Sequence, residues 1–392
     1  MKVCILSARF YPQIVGSGTT AYMYAKGLHD RGHQVTVITD ETIKDLLGDE
    51  QLPFGVRYIP CLEDFAMGRV SFKQPADDLY SVIKEMDFDV LHVNNFMQML
   101  LVSLFRPLIG KPVVFSFYNT PNGSKRAMGY FDSADLDLAL ARNIIGQKQY
   151  DRLVVGSKCY RDFALDLGAD GSITEFEYLG IDHEQFEKSI QESADTDLGQ
   201  YFGGKLNSGF IFMLPGRIVL RKGILEAVKA LAIVRKKYPA KLVLTGLAMP
   251  FDADFAGQVM KEAKRLGVLD AIVGPEKVIS RNDLPALYKR SDVILVPSYY
   301  EGLGLAAIEA LKTGRPLITT KVPGLDEVGI HEQNALVVPP KDSRELAKAM
   351  IRLIEDAGLR MRLEKAGPES SKRFNNAAYV KRLEEIYKEV QK

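Results

Sequence analysis

Two glutamates and two cations in the C-terminal half have the types and spacing to act on an anionic, hydroxyl-bearing molecule. Glu301 stands in Glu301-Gly302-Leu303-Gly304-Leu305, and Glu309 follows eight residues on. Two glycines beside a helix start let backbone amides approach a ligand closely, and such amides point at an anion. The stretch reads as a phosphate seat. Eight residues of continuous helix rise about 12 Å. Carboxylates that share one glycosidic bond need about 5–10 Å between them, so two separate hydroxyl-binding roles fit better. Taken alone, each acid is equally readable as a solvated surface group. Upstream, Gly216-Arg217 and Lys222-Gly223 follow the apolar run Phe210–Leu214. Arg217 and Lys222 therefore sit at the carboxyl end of a strand just before a helix, where α/β proteins bind anions.

The elements that must hold these residues are legible around them. Val293–Val296 is an all-apolar run, as expected of a strand buried on both faces, and Pro297 ends it. Leu305, Ile308, Ala310 and Leu311 recur at helical spacing, with Gly314 at the C-cap position. Ile224, Leu225, Val228, Leu231, Ala232 and Val234 mark a second helix after Lys222. The first half alternates in the same manner, with strands at 3–7, 35–38, 56–59, 90–93, 113–117 and 153–156 and a helix over 21–30. Strands separated by helices indicate parallel, doubly wound sheets. The loop Gly16-Ser17-Gly18 is a weak candidate site. Asp40 falls about 20 residues later, so a dinucleotide-binding reading stays open on spacing, although Ala21 replaces the third glycine. A run of Glu, Gln, Ser, Asp and Gly from Asp182 to Gly204 reads as a linker. It separates a first domain, 1–185, from a second, 205–374, with 186–204 between them.

Composition sets limits. The chain has 392 residues, enough for two domains, and a formal net charge of +1, which implies no nucleic-acid partner. Three dispersed cysteines show neither a disulfide framework nor metal-ligand spacing, so a reducing compartment is expected. The N-terminus lacks the marks of a secretion signal. The uncharged stretch Val90–Phe105 is too short and too polar to span a bilayer. The apolar segment 96–109 has two readings, contact with a membrane surface and a buried helix, of which the second is favoured.

The run from Glu301 to Glu309-Ala310, with Asp292 before it and Gly314-Arg315-Pro316 after it, resembles the glutamate, seven residues, glutamate motif of retaining glycosyltransferases of family 4. Gly216-Arg217 with Lys222-Gly223 resembles that family's phosphate clamp, and residues 25–39 resemble its N-terminal segment. The resemblance implies the GT-B fold: two Rossmann-like doubly wound domains facing across a cleft, with the last helix, 375–392, returning to the first. It implies that Glu301 contacts donor-sugar hydroxyls and Glu309 the nucleotide's ribose. Arg217, Lys222 and the amides of Leu303, Gly304 and Leu305 would hold the diphosphate. Gly16, Ser17 and Gly18 would close over the phosphates from the opposite domain, and Gly246 and Ile279 would border the base. Ser17 stands where the family usually has a second adjacent glycine. Only His92 remains where the family often has two histidines. Tyr118 replaces a histidine near the sugar, and tyrosine does not carry a proton near neutral pH. Tyr118 and His92 are noted as candidate sugar or acceptor contacts.

The expected activity is retaining transfer of a hexose from a UDP-, GDP- or ADP-sugar to an acceptor hydroxyl, with no metal or other cofactor. Front-face attack, in which the leaving phosphate takes the acceptor's proton, is the mechanism the resemblance suggests. The pairs Asp87/Asp89, Asp135/Asp137, Asp195/Asp197 and Asp252/Asp254 read as surface acids rather than a metal motif. An epimerase or a sugar-phosphate synthase on the same fold, a non-catalytic nucleotide-sugar-binding protein and a nicotinamide dehydrogenase are the alternatives. The acceptor is expected on the first domain, against the loops 63–74 and 119–135.

Overall fold

The computed structural model describes residues 1–13, 16–118, 131–193, 196–248 and 252–392, with backbone alone for 131–134 and 136–137. The chain divides into two compact units. Met1–Asn122, Phe131–Leu179 and Asn375–Lys392 belong to the first, and Gly180–Phe374 to the second.

The first unit is built on a parallel sheet of seven strands: β1 (Lys2–Leu6), β2 (Gln34–Asp40), β3 (Gly55–Ile59), β4 (Val90–Asn94), β5 (Val113–Phe117), β6 (Arg152–Val155) and β7 (Thr174–Phe176). Their order is β3-β2-β1-β4-β5-β6-β7. The chain winds outward from β1 to one edge and from β4 to the other, so the switch point lies between these two. Every residue of β4 and β5 is buried, as their apolar runs require of strands covered on both faces.

The helix Asn376–Val390 packs on the helix Gly16–Asp30 of the same unit. The Asn375 side chain caps it by accepting from the Ala377 amide at 2.8 Å, and Tyr379, Leu383, Ile386 and Tyr387 are buried. A side chain at Gly27 would meet Val380 at 2.8 Å, so glycine there sets the close approach of the two helices.

The second unit repeats the plan with β8 (Phe210–Leu214), β9 (Ala240–Leu244), β10 (Ile272–Val273), β11 (Val293–Val296), β12 (Leu317–Thr320) and β13 (Ala335–Val338) in the parallel order β10-β9-β8-β11-β12-β13. Its switch point lies between β8 and β11. Asp292 fastens that pair: its amide donates to the Ile211 carbonyl at 2.9 Å and its Oδ2 accepts from the Ile211 amide at 2.7 Å. The core on one face joins Phe212, Leu214 and Leu295 to Ala227, Val228 and Leu231 of the helix Ile224–Val234.

Three expectations need correction. Residues 186–204 are not an open linker: His183–Glu192 is a helix and Gly199–Phe202 a short one, both in the second unit. Asp182 caps the first of them through the Gln185 amide, and the polar residues that suggested a linker form its exposed face. Gly16 and Gly18 lie in the first turn of the helix Gly16–Asp30, not in a loop before it. The short strands β7, β12 and β13 were not anticipated. The segment 96–109 is a helix, Phe96–Ile109, with Met99, Leu101 and Val102 buried. No helix among the described residues is long and apolar enough to cross a membrane.

Candidate active site

At the second unit's switch point, the segments after β8 and β11 are stitched together. A 3₁₀ turn, Leu220–Lys222, follows β8, and the Arg221 carbonyl accepts from the Tyr299 amide at 2.7 Å. Arg221 Nη1 donates to the Tyr300 carbonyl at 3.2 Å. The backbone of Gly223 lies so close to β11 that a side chain there would stand 2.0 Å from the Pro297 carbonyl oxygen.

Glu301 sits at the centre of these contacts, 8% exposed. Lys222 Nζ lies 2.5 Å from its Oε1, Arg221 Nη1 3.2 Å, and Ser298 Oγ donates to the same oxygen at 3.1 Å. Among the described residues none bonds to Oε2. Burial alone would raise the Glu301 pKa, but the Lys222 and Arg221 cations outweigh it and hold the carboxyl at about 2. Burial lowers the pKa of the Lys222 ammonium, Glu301 opposes this, and Arg221 and Arg217 add to the lowering. Arg217 is half-buried and within electrostatic reach of Lys222. Glu301 is thus an ionised carboxylate facing more positive charge than it neutralises, and the remainder suits an anion.

Gly216 N donates to Thr245 Oγ1 at 2.9 Å, and Gly246 lies against the Gly216 carbonyl with no space for a side chain. The loop after β9 thereby props the Gly216-Arg217 turn. Gly302 and Leu303 are buried, and Gly304, at φ 86°, opens the helix Leu305–Thr313 with no side-chain cap. Uncapped helix-start amides are a ready anion site. Glu309 is half-buried within that helix, and its Oε2 accepts from the Tyr288 hydroxyl at 2.7 Å. Burial raises its pKa, with the Tyr288 bond opposing. Glu301 lies before the helix rather than on it, so the spacing of about 12 Å does not apply. The two acids belong to separate hydrogen-bonded groups. Ile279 is buried in the segment after β10, two strands from β8.

Arg221, Ser298 and Tyr288 were not among the candidate site residues. Arg221 adjoins the recognised lysine and Ser298 precedes Glu301 by three residues, so local spacing offered both. Tyr288 carried no such signal.

In the first unit, the start of the helix Gly16–Asp30 is tied to the switch point. Asn94 at the end of β4 donates to Ser7 Oγ at 2.8 Å and to the Ser17 carbonyl at 3.3 Å. His92 is not a ligand contact. It is fully buried, stacked on Tyr24, with Nδ1 bonded to the Tyr387 hydroxyl and Nε2 to Ser116 Oγ at 2.6 Å. Burial lowers its pKa to about 3, so it stays a neutral core residue. The Tyr118 hydroxyl is engaged by that of Tyr379 at 2.5 Å, and burial raises its pKa well above the usual value.

Asp40 does not face a ribose. Its Oδ1 accepts from the Thr42 amide and hydroxyl, and its Oδ2 from the Glu63 amide at 2.7 Å, which disfavours the dinucleotide reading. Asp87 pairs with Lys2, Asp89 accepts from the Lys2 amide, and Asp252 caps a helix through the Phe255 amide. Residues 119–130 of one expected acceptor loop, and Asp195, lie outside the described residues.

Cations and an uncapped helix start thus meet at the switch point of one of two doubly wound units, the place where α/β proteins of this class bind their ligands. Comparison with known proteins makes this specific. Residues 203–370 match the family described as glycosyl transferases group 1, and residues 14–185 match glycosyltransferase family 4. The chain belongs to the family 4 glycosyltransferases and has their GT-B fold. It is 26% identical over 369 residues to an uncharacterized glycosyltransferase of Methanocaldococcus jannaschii, covering 92% of this chain and 90% of that one. Among solved structures, sucrose-phosphate synthase of Thermosynechococcus elongatus aligns at a TM-score of 0.81 with 20% identity, over 99% of this chain and 98% of the other. HepE of Anabaena, in complex with UDP-glucose, aligns at 0.80 with 18% identity, over 99% and 100%.

Proposed function

We propose that the protein is a retaining hexosyltransferase that moves a sugar from a nucleotide-sugar donor to an acceptor hydroxyl, with no metal ion. The observation that carries this reading is the surplus of positive charge around Glu301 at the switch point, beside an uncapped helix start. When the bond from the sugar's C1 to the diphosphate breaks, its electron pair leaves with the diphosphate. Arg217, Lys222 once drawn from Glu301, and the amides of Leu303, Gly304 and Leu305 would meet that charge, and donors held ready for developing charge usually make the largest contribution to lowering a barrier. Cations built into the chain thus take the part that a divalent ion plays elsewhere. Glu301 Oε2 accepts from a sugar hydroxyl, and Glu309 from the ribose.

The acceptor oxygen bonds to C1 on the face the diphosphate leaves, and its proton passes to a departing phosphate oxygen. This route needs no protein base. It agrees with the state of His92 and Tyr118, neither of which is placed to take a proton. The bound UDP-glucose of HepE makes UDP-sugars the first donors to try. A cytoplasmic setting, where nucleotide sugars are made, goes with this reading.

Thermal-shift measurements against UDP-, GDP- and ADP-sugars select the donor, and NMR of the product then gives its anomeric configuration. A stabilising donor and a retained linkage are expected. No stabilisation by any nucleotide sugar, or an inverted linkage, would contradict the proposal.

A further inference from the structure

We propose that Arg221 is the positioning residue that holds Glu301 toward the donor sugar while Lys222 turns to the diphosphate. The inference rests on the reading of this site as a nucleotide-sugar seat. Lys222 and Arg221 share one carboxylate oxygen, at 2.5 Å and 3.2 Å, with Ser298 Oγ as the third partner at 3.1 Å. One cation is therefore in excess of what Glu301 needs, and the two differ in how they are held.

Arg221 is anchored at both ends to the segment that carries Glu301. Its carbonyl accepts from the Tyr299 amide at 2.7 Å, and its Nη1 also donates to the Tyr300 carbonyl at 3.2 Å. A planar guanidinium with several fixed donors keeps such a multiple grip. Lys222 carries a compact ammonium on a flexible stem, and its one described side-chain bond is to Glu301. Arriving phosphates therefore compete for Lys222 and leave Arg221 in place. Were Arg221 absent, that competition would leave a buried carboxylate with only a serine hydroxyl, a state that is strongly unfavourable. With Arg221 present, Glu301 keeps its charge and direction, and Oε2 stays presented to the sugar.

Calorimetric titration of wild type, Arg221→Gln and Arg221→Lys separates this role from others. The ligands are whichever of UDP, GDP and ADP binds the wild type, and the matching nucleotide-glucose. The glutamine variant is expected to bind the nucleoside diphosphate within about threefold of wild type and the nucleotide-glucose about tenfold more weakly, with a fall in kcat on that donor. The lysine variant, which keeps the charge without the fork, should recover part of the lost sugar preference. It also supplies the same comparison should the glutamine variant not fold. Equal weakening of both ligands would make Arg221 a phosphate contact or a merely structural residue, and unchanged binding of both would make it a bystander; either overturns the inference. A wild type that binds no nucleoside diphosphate would overturn the site reading itself, and this inference with it.

Discussion

Glu301 shows how the meaning of one side chain depends on its neighbours. Removing Lys222 as alanine takes away the cation nearest the Glu301 carboxylate and one of the two proposed to meet the diphosphate. A fall in kcat of about 10²–10³ is expected, as when one fixed donor to developing charge is lost. Its cost in stability should stay below the roughly 3–5 kcal/mol of a buried pair stripped of its partner, because Arg221 and Ser298 remain. Steady-state kinetics and urea unfolding of one preparation check both.

The pH dependence has a definite sign. The folded Glu301 carboxyl is depressed to about 2 from an ordinary 4.5, so its ion pairs contribute fully above about pH 4.5. Their contribution is lost as the pH falls toward about 2. Urea melts of Glu301→Gln should show a shallower fall in stability over that window than wild type. Parallel profiles would mean that Glu301 is not ion-paired in the folded protein. At this scale the sequence was informative where a motif spans few residues. Glycines and strand ends flank Arg217, Lys222 and Glu301, and resemblance to the family's clamp and motif then singled them out as candidates. The Tyr288–Glu309 bond was not legible, because no local spacing records which helix faces which.

The elements place these residues by close approach. Gly223 adopts φ 68°, and a side chain on it would collide with the Pro297 carbonyl at 2.0 Å. Gly223→Ala must therefore push the β8 and β11 segments apart. A loss of at least about 1–3 kcal/mol is expected from the backbone conformation alone, together with weaker nucleotide binding. Thermal unfolding with and without UDP measures both, and a variant as stable as wild type would contradict the packing.

His92 in β4 gives a second pH effect. Burial holds its folded pKa at about 3 against an ordinary 6.5, so stability is full above about pH 6.5 and falls as the pH drops toward 3. His92→Gln should flatten the profile there while keeping hydrogen-bonding capacity toward Ser116 and Tyr387. The central strands were legible because all-apolar runs bounded by polar residues admit few other fates. β7, β12 and β13, of three or four residues each, were not read from the sequence. The supposed linker failed because polar composition describes an exposed helix face as well as a loop, and the Asp182 cap was the discriminating signal.

Across the whole molecule, two doubly wound units repeat one plan, and the alternation of strands and helices announced it. The return of the last helix to the first unit came from resemblance alone. In the structure Asn376–Val390 brings Tyr379 to Tyr118 and Tyr387 to His92. Truncation after Phe374 should expose that buried face and destabilise the first unit, seen as loss of soluble protein or a lower-melting first transition. A nucleotide-sugar donor at a hundred times its dissociation constant should add about 2.7 kcal/mol to stability, by binding the folded state alone.

The most direct measurement is release of free nucleoside diphosphate from UDP-, GDP- and ADP-glucose by the wild type and by Lys222→Ala. Wild type should release diphosphate from at least one donor, and the variant should do so about a hundredfold or more slowly. Release at the same rate by both proteins, or none from any donor even when acceptors are supplied, would contradict a diphosphate seat built on Lys222.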